Sequence, residues 1–165
     1  MLRKMKVTGL VMDPQTNTPI LILTDPNSET TLPIWIGLLE ATAIATELEK
    51  IQFPRPMTHD LMRNCLQLLK VEVERIEVCD LRNNTYYAHI YLRENERITP
   101  IDARPSDAIA IALRTNAPIY VAEEVLTKYQ KSELSSQPVF DREKQEKWAE
   151  ILEDLDPSDF SKYKM

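Results

Sequence analysis

Two stretches of the chain put proton-transfer and anion-binding groups side by side. FPRPMTHD, residues 53–60, sets Arg55 ahead of Thr58, His59 and Asp60; DARPSDAIAIA, residues 102–112, repeats the device with Asp102, Arg104, Ser106 and Asp107. Imidazole titrates near neutrality and can move a proton, so His59, beside Asp60, is a candidate catalytic group, with Asp107 of the second motif a further one. A guanidinium can hold a phosphate through two parallel hydrogen bonds, which makes Arg55 and Arg104 candidate substrate contacts, with the hydroxyls of Thr58 and Ser106 beside them. Asp102 and Asp107 offer hard oxygen ligands of the kind that Mg2+ or Mn2+ takes, and Glu40, in LPIWIGLLEATAIA, is a third acidic contributor to the same pocket.

The same residues also serve as structure. Thr58 as a helix N-cap contributes about 1 kcal/mol by accepting a free backbone N–H. Asp60 in a first turn adds about 0.5 kcal/mol against the helix dipole, as does Glu40. Ser106 or Asp107 caps the second motif, and an internal Arg–Asp ion pair accounts for its charges. Trp35, Tyr87 and Tyr91 can stack on bases or simply pack. The two readings separate on geometry: three helix starts each carry a carboxylate and attract anions, and they make a site only if the fold gathers them.

Composition narrows the class. The chain has 165 residues, enough for one domain with a sizeable core, and its net charge is −6 with no basic arm. Binding that relies on neutralising many phosphates needs a basic surface, so only a local, weak contact with nucleic acid is expected. Two glycines exclude a glycine-rich phosphate loop and leave the turns to Pro, Asn and Asp. Two cysteines and two histidines, widely spaced, exclude a Cys/His zinc cage. The start shows no leader pattern and no apolar run approaches bilayer length, so a cytoplasmic protein without a membrane segment is expected.

The elements that must carry these residues follow from periodicity. Residues 5–36 read as an antiparallel meander with Asp-Pro turns, residues 37–52 as a helix burying Leu39, Ala43, Ala45, Leu48 and Ile51, and Thr58 onward as a second helix turning Leu61, Cys65, Leu68 and Leu69 inward. Two alternating strands follow, the first slipping phase near Glu74–Arg75. A third helix, SDAIAIALRTN, is apolar nearly all round and must be buried. After Leu126 the chain turns polar and irregular, then REKQEKWAEILEDLD offers an apolar stripe of Trp148, Ile151, Leu152 and Leu155. The expectation is an α+β fold with two antiparallel or mixed β layers, three main helices and a C-terminal amphipathic helix. Residues 1–126 form the domain and residues 127–165 a linker and tail. Residues 141–155 could engage a protein partner, and the strand faces a second copy in a homodimer.

LPIWIGLLEATAIA, RPMTHDL and RPSDAIAIALR…APIYVAEEVL, in that order, resemble the bifunctional nuclease family, a bacterial and plant domain that cleaves DNA and RNA. The likeness covers residues 5–126. It implies a hydrolase of phosphodiester bonds with low sequence preference, assisted by a divalent metal, with His59 as general acid or base. The alternative is a non-catalytic anion- or protein-binding domain whose polar motifs are caps and ion pairs.

Overall fold

The computed structural model describes residues 1–133. In chain order these form β1 (Leu2–Met12), β2 (Pro19–Thr24), β3 (Thr31–Trp35), α1 (Leu38–Leu48), α2 (Thr58–Leu68), β4 (Glu72–Arg82), β5 (Thr85–Glu94), β6 (Arg97–Ala103), α3 (Pro105–Thr115), β7 (Ile119–Ala122) and α4 (Glu123–Glu133). The α+β class is as expected. The two strand groups, expected as two layers, join edge to edge in one seven-stranded sheet of order β3-β2-β1-β7-β4-β5-β6. Late strand β7 makes the join, running antiparallel to β1 and parallel to β4.

One sheet face carries the core. Met5, Leu21, Leu23, Leu32, Ile76 and Val78 are buried on it, and α3 lies against β4 and β5. As its composition requires, α3 is buried from Ala108 to Ala112. Helices α1 and α2 each pack on α3. The phase slip in β4 is present between Val73 and Arg75, with a second between Val78 and Asp80. Asparagine does the work that glycine does elsewhere: Asn17, Asn83, Asn84, Asn95 and Asn116 all have positive φ. The Asn83–Asn84 pair sits between β4 and β5, where a tight hairpin needs left-handed backbone that Asn tolerates.

Helix faces depart from expectation. In α1 the buried residues are Ala41, Ile44, Ala45 and Thr46, while Leu39 and Leu48 are exposed. Small side chains let α1 approach the alanine-rich α3 closely, so Ala, not Leu, marks its inner face. The N-cap of α2 is Met57, and Thr58 is its first helical residue with no capping bond. Asp60 takes the capping role instead, its carboxylate accepting the Met57 backbone N–H at 3.0 Å. For α3 the cap is Arg104, with Pro105 at the first position where its missing N–H costs nothing, so neither Ser106 nor Asp107 caps it. Leu61, Cys65, Leu68 and Leu69, expected to face inward from α2, are exposed. Helix also continues to Glu133 where irregular chain was expected, because Tyr129 joins the core. The amphipathic stretch 141–155 lies outside the described residues, and no described helix is long and apolar enough to cross a membrane.

Candidate active site

The three helix starts do gather. Arg104, the cap of α3, donates from Nε to Asp107 Oδ2 at 2.7 Å and from Nη1 to Glu40 Oε1 at 2.8 Å, tying α3 to the first turn of α1. Asp107 turns its other oxygen to His59 Nε2 at 2.9 Å, tying α3 to the first turn of α2. The result is a chain of four side chains, Glu40–Arg104–Asp107–His59, drawn from three helices. It is open on one side, since the Arg104 side chain is 63% exposed.

Each link has an electrostatic consequence. Burial works to raise the Asp107 carboxyl, but the Arg104 guanidinium and then His59 outweigh it, and the group is held below the ordinary carboxylate range. Arg104 is raised in turn by its bonds to Asp107 and Glu40. Glu40 occupies its place because residue 37 is glycine: a Cβ there would stand 2.1 Å from Glu40 Oε2. With neutral imidazole, the four groups sum to one negative charge, so phosphate affinity must come from unused donors.

Those donors exist. Arg104 commits Nε and one Nη1 hydrogen, leaving Nη2 without a described partner. Arg55 is exposed and makes no ion pair with any described residue. His59 uses Nε2 toward Asp107, which orients the ring and leaves Nδ1 to exchange a proton. An oriented imidazole beside a solvent-facing guanidinium is an arrangement for transferring a proton at an anionic centre.

Other expected site residues lie apart from this chain. Asp60 accepts from Arg114 Nε at 2.7 Å, one step away from the His59 contact, and Arg114, in the last turn of α3, is only 3% exposed at its side chain. Desolvation opposes ionisation of Asp60, yet Arg114 and the Met57 N–H hold its pKa down. Thr58 is exposed at the start of α2, and Ser106 is buried in the first turn of α3. Asp102 pairs in register with His89 on β5, whereas the neighbouring Ala103 packs on the core. Strand alternation therefore turns Asp102 to the sheet face opposite α3. Tyr87 and Tyr91 share that face, where Arg75 stacks on Tyr91 at 3.8 Å and Tyr91 donates to Glu77. Trp35 donates to Asp13. None of the three aromatics belongs to the helix-start chain.

The expected Mg2+ or Mn2+ site over Glu40, Asp102 and Asp107 is not assembled in this arrangement. Asp102 faces the other way, and the remaining two carboxylates are bound to Arg104. Among the described residues no three His, Cys, Asp or Glu side chains gather as an ion cage. The residue that sequence reasoning passed over is Arg114. A lone arginine in an otherwise apolar, buried helix requires a carboxylate partner, and that signal was present.

Residues 21–133 match the family described as the bifunctional nuclease domain. An uncharacterized protein of Mycobacterium tuberculosis (strain ATCC 25618 / H37Rv) is 36% identical over 162 residues, spanning 95% of this chain and 97% of its own. Bifunctional nuclease 1 of Oryza sativa subsp. japonica is 26% identical over 109 residues, which are 64% of this chain and 33% of the rice protein. Bifunctional nuclease 2 of the same subspecies is 28% identical over 106 residues, 62% of this chain and 32% of its own. This chain thus matches about a third of each rice protein's length.

Proposed function

The chain belongs to the bifunctional nuclease domain family, and from that membership together with the helix-start chain we propose that it hydrolyses phosphodiester bonds of DNA and RNA. The observation that carries the reading is the His59–Asp107–Arg104 alignment at the solvent edge. In the proposed step, a phosphate oxygen docks on the free Nη2 of Arg104, with Arg55 as a second cation. Asp107 holds the His59 ring through Nε2, and Nδ1 takes a proton from the attacking water. Charge developing on the phosphoryl oxygens is met by the guanidinium, and the imidazolium returns the proton to the departing oxygen. The proposed step uses the side chains alone; a divalent ion here would share Glu40 and Asp107 with Arg104, which already engages one oxygen of each.

A second reading rests on the mutual neutralisation of these charges. Glu40 and Asp107 share Arg104, and Asp60 matches Arg114, so the network also serves as a clasp holding three helices. Incubation of the purified protein with single-stranded RNA and DNA, in Mg2+, Mn2+ or chelator, separates the two. Cleavage lost in His59→Ala and Asp107→Asn supports the enzyme. Cleavage indifferent to both substitutions belongs to a contaminant and sinks it. Loss of activity only in chelator would restore the metal, bound in an arrangement different from this one.

A further inference from the structure

Helix α2 is amphipathic and turned inside out. Leu61, Met62, Cys65, Leu68 and Leu69 recur at the spacing of a single helix face, and all five are exposed, Leu68 by 83% and Leu61 by 54%. The opposite face carries His59, Asp60, Arg63 and Leu66, and these are the half-buried positions. No residue of the helix is fully buried.

Ion pairs fix this orientation. Asp60 meets the buried guanidinium of Arg114 and His59 meets Asp107, both on α3. Rolling α2 over to hide its leucines would leave Arg114 charged and unpaired in the interior, which is strongly destabilising, and would break the His59–Asp107 contact as well. The apolar stripe is therefore held outward by the site itself.

The stripe has an internal symmetry that selects its occupant. Its members stand at −4, −3, 0, +3 and +4 about Cys65. Two such helices crossing antiparallel about a two-fold axis at Cys65 bring Leu61 against Leu69 and Met62 against Leu68 of the second copy. An isologous interface has to be self-complementary, and this one is so by residue type and spacing. No charge falls inside the stripe; Arg63 and Lys70 lie outside it, at positions where like charges need not face each other. Five side chains of this size present several hundred Å2 of apolar surface, the upper range for a monomer, and rim residues extend it toward the roughly 800 Å2 per partner of a standard interface.

We propose that α2 is the interface of a two-fold homodimer, packed antiparallel on α2 of a second copy with Cys65 at the axis. The surface is distinct from the strand faces and does not depend on the catalytic reading.

The full chain would be examined by light scattering after gel filtration and by thiol cross-linking with a short bismaleimide. A dimer is expected, trapped through Cys65 in Cys79→Ser and at least about tenfold less in Cys65→Ser. Leu68→Lys and Leu69→Lys enter the interface twice each and should weaken the dimer by roughly a hundredfold, with unchanged circular dichroism. Lysine in a last helical turn suits the dipole, so the fold is not at risk. A monomer overturns the proposal: with Cys65 protected from alkylation, residues 134–165 of the same chain cover the stripe; with Cys65 reactive, nothing does. An oligomer indifferent to the lysine variants, or one that cross-links only through Cys79, overturns it as well.

Discussion

His59 Nε2 lies 2.9 Å from Asp107 Oδ1, and that contact joins the first turns of α2 and α3 across 48 residues of sequence. Imidazole and carboxylate are thereby fixed relative to each other by two helices whose rotations other ion pairs also hold. If His59 moves the proton, His59→Ala should lower the cleavage rate by about 10²- to 10⁴-fold with little change in the urea midpoint. Rates and denaturation curves measured on one preparation check this. A large stability loss with residual activity would instead mark the contact as structural.

Removing Asp60 tests a different property. Arg114 keeps one bond, from Nη1 to the Ala110 carbonyl at 3.0 Å, but loses its only described carboxylate. Asp60→Ala should cost about 2–4 kcal/mol, because a buried charge is left unpaired. Urea unfolding of wild type and variant gives the value directly. Asp60→Ala combined with Arg114→Leu should recover much of the loss, since the stranded charge is gone.

Acid should loosen the helix layer. Asp60 and Asp107 are both held below the usual carboxylate range in the folded protein, while in the unfolded chain each returns to about 3.9. A group depressed by folding contributes its stabilisation above the unfolded value and loses it as pH falls through the folded one. Stability should therefore stay flat on this account down to about pH 5 and decline below about pH 4. Urea midpoints from pH 7 to 3 would show this, and Asp60→Asn should flatten part of the slope.

Gly37→Ala is a local probe of the Glu40 position. Backbone strain is not involved, since φ at Gly37 is −74°. The new methyl would displace the Glu40 carboxylate and release one of the two acceptors of Arg104. At this exposed pair the stability change should be under about 1 kcal/mol. Activity should change more than stability, because Arg104 is freed to reorient; nuclease rates for the variant check this.

Binding of single strands should depend only weakly on salt. If two cations, Arg55 and Arg104, hold the phosphate as proposed, a slope of about −1.4 in log K against log salt is expected. Titration of a catalytically inactive His59→Ala protein with a labelled oligonucleotide measures it. A slope several times steeper would reveal a basic track away from the helix starts.

Much of this molecule could be read from residues alone. Asn at turn positions, the phase slip in β4, the alternation of Tyr86, Ala88 and Ile90 against Tyr87, His89 and Tyr91, and an all-buried α3 are local consequences of side-chain type and period. So was the kinship of the three helix starts, since repeated Arg-Pro and carboxylate signatures produce repeated local structure. Which charge meets which was not legible. Asp102 and Asp107 stand five residues apart and face opposite sides of the sheet, because one is on a strand and the other on a helix.

Periodicity states which residues share a face and is silent on where that face turns. In α2 the leucines and the charges each form a stripe, and from sequence the leucines belonged inside. Tertiary structure reversed this, because Arg114, buried in α3, required Asp60, and a helix has only one rotation that satisfies its strongest partner.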